Sequence, residues 1–177
     1  DNTYFKLTSN IRLGNKEFYI IGSIDNPFNG HLNGSGFIIK DFSISCTNNY
    51  TGLFGYVNGT IENVGIENAT INANSSLNGN YYTGIIAYLG ENGIVRNCYS
   101  TGTITNNATY FSYAGGLVGY SCGLIENSYS SCKVIAKSTS ILAYAGGLVG
   151  YLEGTIKYSF ATGSVTANGV YDTYSKN

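Results

Sequence analysis

The sequence predicts an all-β fold, a right-handed parallel β-helix with about 31–32 residues per repeat and three short strands in each coil. Three observations lead there. A glycine-rich apolar block ending in tyrosine recurs as Gly52-Leu53-Phe54-Gly55-Tyr56, Gly84-Ile85-Ile86-Ala87-Tyr88, Gly116-Leu117-Val118-Gly119-Tyr120 and Gly147-Leu148-Val149-Gly150-Tyr151. The leading glycines lie 32, 32 and 31 residues apart, and a fixed period of that size marks stacked coils rather than a globular domain. The 177 residues include 24 Gly and 17 Tyr, with much Asn, Ser and Thr, which disfavours helices and suits turns and strands. The right hand follows from the strong bias of parallel crossovers.

Each block is followed by a second shared segment: Gly59-Thr60-Ile61-Glu62-Asn63, Gly93-Ile94-Val95-Arg96-Asn97, Gly123-Leu124-Ile125-Glu126-Asn127 and Gly154-Thr155-Ile156-Lys157-Tyr158. A third short strand carries Ile71, Ile104, Val134 and Val165. Stacked coils bring equivalent residues about 4.8 Å apart. Leu53, Ile85, Leu117 and Leu148 are then one inward row, Ile61, Val95, Ile125 and Ile156 a second, and the third-strand residues another. Val64, Cys98, Ser128 and Ser159 point inward too, as do Ile66, Ser100, Ser130 and Ala161, so one flank of the core is small and partly polar. Its hydroxyls need backbone partners.

Asn63, Asn97 and Asn127 fall at a corner where an amide can bond to its copy in the next coil, and Tyr158 breaks that row. Beside them Glu62, Arg96, Glu126 and Lys157 form an outward structural charge ladder of alternating sign, which a stacked register favours because like charges opposite one another repel. Residues 1–50 read as a degenerate first unit and N-terminal cap, with edge strands at Thr3–Leu7 and Ile11–Leu13. The repeats are 51–82, 83–114, 115–145 and 146–177, all within a single solenoid domain. Tyr171 to Asn177 matches the linker before each new block. An exposed last coil is therefore expected, and the absence of Met fits a piece of a longer protein.

The glycine-rich blocks, the Gly-x-Ile-x-Asn segments and the Thr-Gly-x-Val pieces (Thr101-Gly102-Thr103-Ile104 and Thr162-Gly163-Ser164-Val165) resemble the GLUG motif repeat family. Ala87, in place of the second glycine, departs from the pattern. The resemblance implies a parallel β-helix within large secreted or surface-attached bacterial proteins, among them adhesin-like proteins and immunoglobulin-A-cleaving metallopeptidases. The zinc motif of those peptidases needs two histidines, and this sequence has only His31.

Composition narrows the function classes. A net charge of −1 leaves no basic face for nucleic acid, and no apolar run is long enough to insert in a membrane. Parallel β-helices that cleave polysaccharides cluster acidic residues. Here the four aspartates, at 1, 25, 41 and 172, do not repeat from coil to coil, and only Glu62 and Glu126 share a ladder. No catalytic residue, metal site or cofactor is expected. Cys46, Cys98, Cys122 and Cys132 do not stack in adjacent coils, so free thiols are expected and no disulfide. Tyrosines form three rows: Tyr56, Tyr88, Tyr120 and Tyr151; Tyr81, Tyr113 and Tyr144 in the linkers; and Tyr99, Tyr129 with Phe160. The plain reading is that stacked rings tie coils together. The sharper one makes Tyr99, Tyr129 and Phe160 an exposed strip for a sugar or a partner protein. The function expected is a non-catalytic extracellular or cell-surface repeat module, a stalk or adhesive segment, with a carbohydrate-binding module or degenerate enzyme as the alternative. Its partners would be a host or cell-surface glycan or protein and further repeats of the same parent chain.

Overall fold

The computed structural model describes residues 3–14, 19–171 and 173–176. Asp1, Asp172 and Asn177 lie outside the described residues. The backbone winds through four parallel sheets in the same order coil after coil, about five turns in all. In the coil that opens at Gly52, Phe54–Val57 lies in the first sheet, Thr60–Glu62 in the second, Gly65–Asn74 in the third and Asn80–Thr83 in the fourth. Each pairs in parallel with its equivalent one repeat on.

The first three strands are those the sequence predicts, and the expected linker forms the fourth. It hides from a hydrophobic pattern because its inward residues are Tyr81, Ser112 and Ala143, then Thr83, Ala114 and Ala145, with no aliphatic column among them. The pairing also corrects one tyrosine row. Tyr82, not Tyr81, is aligned with Tyr113 and Tyr144, while Tyr81 pairs with Ser112 and is buried. A slip of one residue in a strand moves a side chain to the other face.

The aliphatic ladders hold. Ile61, Val95, Ile125 and Ile156 pair in succession in the second sheet, and Ile71, Ile104, Val134 and Val165 in the third. Leu53, Ile85, Leu117 and Leu148 fill the bends that enter the first sheet, all buried. Each such side chain contributes roughly 1.5–3 kcal/mol when fully covered. On the small flank the hydroxyls are satisfied by a staircase. Cys98 N–H donates to Ser128 Oγ at 3.1 Å and Ser128 N–H to Ser159 Oγ at 3.1 Å, while each serine donates to the carbonyl two residues earlier. Ser100 Oγ donates to Gly116 O at 2.9 Å.

The Asn corner has a backbone cause. Asn63, Asn97 and Asn127 all adopt left-handed φ, at 54°, 51° and 48°, which Asn tolerates better than other residues with a side chain. Asn97 Nδ2 donates to Asn63 Oδ1 at 2.9 Å, so the amides also bridge coils. Tyr158 holds φ 50° at the same corner without that advantage.

Residues before 50 are more regular than a cap. Tyr4–Lys6 pairs with His31–Asn33, and Ile11–Gly14 with Ile38–Cys46. Ile21 and Phe28 bridge to Phe54 and Val57. His31, Leu32 and Asn33 in turn pair with Thr60, Ile61 and Glu62, so the repeat reaches back to the first strand.

Candidate functional site

Two tyrosine rows run side by side along the solenoid between Tyr50 and Tyr174. In the first sheet Tyr56, Tyr88, Tyr120 and Tyr151 stack with ring centroids 4.7, 4.9 and 5.0 Å apart. In the fourth sheet Tyr50, Tyr82, Tyr113, Tyr144 and Tyr174 stack at 5.3, 5.1, 5.0 and 5.2 Å. The rows touch edge to face, Tyr82 on Tyr88 at 5.4 Å, Tyr113 on Tyr120 at 5.8 Å and Tyr144 on Tyr151 at 5.3 Å. Outward side chains of successive sheets meet only where the surface folds inward. The nine rings therefore line a concave elbow.

The hydroxyl edge of the first row carries polar company. Tyr120 donates to Glu153 Oε1 at 2.6 Å, Tyr88 Oη lies 3.4 Å from Cys122 Sγ, and Cys122 Sγ lies 3.7 Å from Glu153 Oε2. Burial pushes the Tyr88 and Tyr120 phenols above their ordinary value, reinforced by Cys122 for the former and Glu153 for the latter.

The strip of Tyr99, Tyr129 and Phe160 lies outward on the third sheet, as expected, with centroids 5.2 Å apart at each step and rings 6° and 5° from parallel. Tyr99 is half-buried, Tyr129 is 37% exposed and Phe160 57%. Below, the Tyr99 ring occupies the space over Gly65, where any side-chain carbon would collide with it. Its hydroxyl donates to Glu67 Oε1 at 2.7 Å, and burial together with that bond pushes the phenol up to about 12. A sugar packs on an aromatic face, and here the faces of Tyr99 and Tyr129 are covered by neighbouring coils. Phe160 is the last ring of the row among the described residues.

The charge ladder has the predicted register, Glu62 beside Arg96, Arg96 beside Glu126 and Glu126 beside Lys157. Its first member is not the outward, solvated charge the sequence suggests. Glu62 is 9% exposed and held by Arg96 Nε at 2.6 Å, His31 Nε2 at 2.8 Å and Asn33 Nδ2 at 3.1 Å. Burial opposes ionisation of Glu62, but the bonds and charges of Arg96 and His31 outweigh it and hold the carboxyl below its ordinary value. Glu126 is half-buried and Lys157 exposed. His31 and Asn33 were missed by sequence reading; the match of Gly30-His31-Leu32-Asn33-Gly34 to Gly59-Thr60-Ile61-Glu62-Asn63 is the signal that finds them.

All four cysteines carry free thiols. Cys98 faces the core as expected, and burial pushes its thiol up to about 12, so it is inert packing. Cys132 is buried, and Cys46 and Cys122 are half-buried. Among the described residues no group of three or more His, Cys, Asp or Glu is placed to hold a metal ion.

Residues 142–166 match the model of the GLUG motif. The chain is 36% identical over 98 residues to halomucin of Haloquadratum walsbyi, covering 54% of this chain and 1% of halomucin. It is 31% identical over 122 residues to a protein of Evansella cellulosilytica provisionally named a Gly-rich membrane protein, covering 68% of this chain and 10% of that one. The chain thus spans a small part of the curated relatives it matches. Its fold is shared with a Bacteroides ovatus crystal structure provisionally named an immunoglobulin A1 protease, at a TM-score of 0.55 and 19% identity, over 100% of this chain and 78% of the other. The matched segment is one circuit of the solenoid, from the fourth sheet at Leu142 to the third at Thr166, and strand pairing carries the same circuit back through the preceding coils. The chain thus carries a GLUG motif at residues 142–166, within a circuit that its strand pairing repeats.

Proposed function

We propose that this chain is a non-catalytic repeat module of a larger secreted or surface protein and serves there as a rigid spacer. One observation carries the reading: every interior ring of the three outward aromatic rows has neighbouring coils stacked against it, so the aromatic surface is spent on holding coil to coil. A stacked ring resists shear between coils, and a continuous stack stiffens the long axis. The names of the similar proteins, one of them a membrane protein by name, and the small share of each that the chain covers support a part of a larger surface-associated whole.

Recognition of a glycan or partner protein by the Tyr99, Tyr129 and Phe160 strip is the second reading, favoured by its outward place on the third sheet and the exposure of Tyr129. A glycan and host-matrix binding screen of the purified chain, beside a folded Tyr99→Ala/Tyr129→Ala/Phe160→Ala variant, separates the two. The spacer reading expects no binding from either protein; binding by the parent that the variant loses would replace it with the recognition module.

A further inference from the structure

The nine tyrosines of the elbow are more than a stiffener. Their ring centroids step by 4.7–5.3 Å within each row, and the edge-to-face contacts join the rows at several levels. Aromatic rings in van der Waals contact exchange electrons far faster than rings separated by solvent, and tyrosine is among the most readily oxidised side chains. A phenol gives up an electron only if its proton has somewhere to go. Tyr120 has that acceptor in Glu153 Oε1, 2.6 Å away. An electron donor of similar ease of oxidation adjoins the same place, because Cys122 Sγ lies 3.4 Å from the Tyr88 hydroxyl and 3.7 Å from Glu153 Oε2. A half-buried thiol, two phenols and a carboxylate thus meet at one edge of the array.

We propose that the elbow is a radical relay: it accepts one-electron oxidation by oxyl radicals of the peroxyl class anywhere along the tyrosine rows and delivers it to Cys122. A peroxyl radical takes a hydrogen atom, electron and proton together, from a phenol of the array to give hydroperoxide. An electron from Tyr120 then crosses the stacked rings to that phenoxyl, leaving a phenoxide there, while the Tyr120 proton passes to Glu153. An electron then flows from Cys122 through Tyr88 to the Tyr120 radical. Tyr120 recovers its proton from Glu153, and the Cys122 thiol proton, passing by way of the carboxylate and solvent, restores the phenol that gave up its hydrogen atom. The tyrosines are regenerated, and Cys122 is left as a thiyl radical. Two chains so oxidised couple through sulfur, so that two peroxyl radicals and two thiols give two hydroperoxides and one disulfide. The disulfide is reversible by thiol exchange, whereas a radical trapped on tyrosine is not.

Cys46 supplies an internal control, since it is also half-buried but bonds to Thr51 rather than to the array. A His31→Gln/Lys176→His variant, labelled at its single histidine with a ruthenium photo-oxidant on the same strand face as Tyr174, injects holes at one end of the rows. After flash oxidation with an external electron acceptor, peptide mass spectrometry and non-reducing gels read the thiols. Oxidation of Cys122 is expected at least tenfold above that of Cys46, with a disulfide-linked dimer. Adding Tyr144→Phe and Tyr151→Phe keeps the stack but removes two relay stations, and Cys122 oxidation should fall at least tenfold with the circular dichroism unchanged. Equal oxidation of Cys46 and Cys122, an unaffected phenylalanine variant, or a phenoxyl radical that persists with both thiols intact would each overturn the relay.

Discussion

The coil around Ile104 and the coil around Val165 share register and a left-handed corner, yet they differ in what covers them. Ile104 lies between Ile71 and Val134 and is fully buried, as are Val95, Leu89 and Ser100 in the same coil. In the last described coil Ile156, Ala161 and Val165 are only partly covered, and Leu152 is 43% exposed. The same inward pattern therefore supplies full stabilisation only when a coil lies on both sides. A solenoid's stability is in this sense a property of interfaces between repeats rather than of the repeats themselves.

Cavities break the comparison most sharply. Ile104→Ala is expected to cost about 2–5 kcal/mol, because neighbours on both sides cannot close the void. Val165→Ala should cost about 1 kcal/mol or less, since part of that side chain is already wet. Denaturant midpoints of the two variants measure the ratio, and equal losses would contradict the coil-interface view.

The corner sharpens the contrast with a smaller effect. Asn97→Ala should lose about 1–2 kcal/mol, from the left-handed backbone and the broken bond to Asn63. At the last coil the sign reverses. Tyr158 pays for the same φ without an amide, so Tyr158→Asn should raise the melting temperature, and a fall would show that the exposed ring has a partner there.

Smallest is the acid response of the first coils. The folded-state value of Glu62 lies below its ordinary 4.5, so its stabilisation is complete above about pH 4.5 and fades as pH falls through the lowered value. Glu62→Gln should flatten the acid limb of a stability profile measured between neutral pH and acid, and an unchanged limb would place the acid sensitivity elsewhere.

The interior of this fold was legible because its aliphatic rows repeat with the glycine blocks. Leu53 to Leu148, Ile61 to Ile156 and Ile71 to Val165 needed only counting. The fourth strand was not, because Tyr81, Ser112 and Ala143 share a face without sharing a chemistry. Adjacent Tyr81 and Tyr82 made matters worse: a strict 32-residue step from Tyr113 lands on the buried ring rather than the stacked one. At the candidate site the strip of Tyr99, Tyr129 and Phe160 and the register of the charge ladder were readable. That Glu62 would be buried was not, since its cover comes from His31 and Asn33, in a segment whose repeat is carried by one short match. The tyrosine elbow was invisible for a different reason. Two outward rows touch only because of the angle between sheets, which no periodicity encodes.

Residue-resolved hydrogen exchange tests the coil-on-coil claim most directly, because it reads protection at every level of each ladder in one molecule. Slow exchange at Val95, Ile104, Ile125 and Val134, falling by orders of magnitude toward Ile156 and Val165, is the predicted result. Protection as strong in the last coil as in the middle would contradict it.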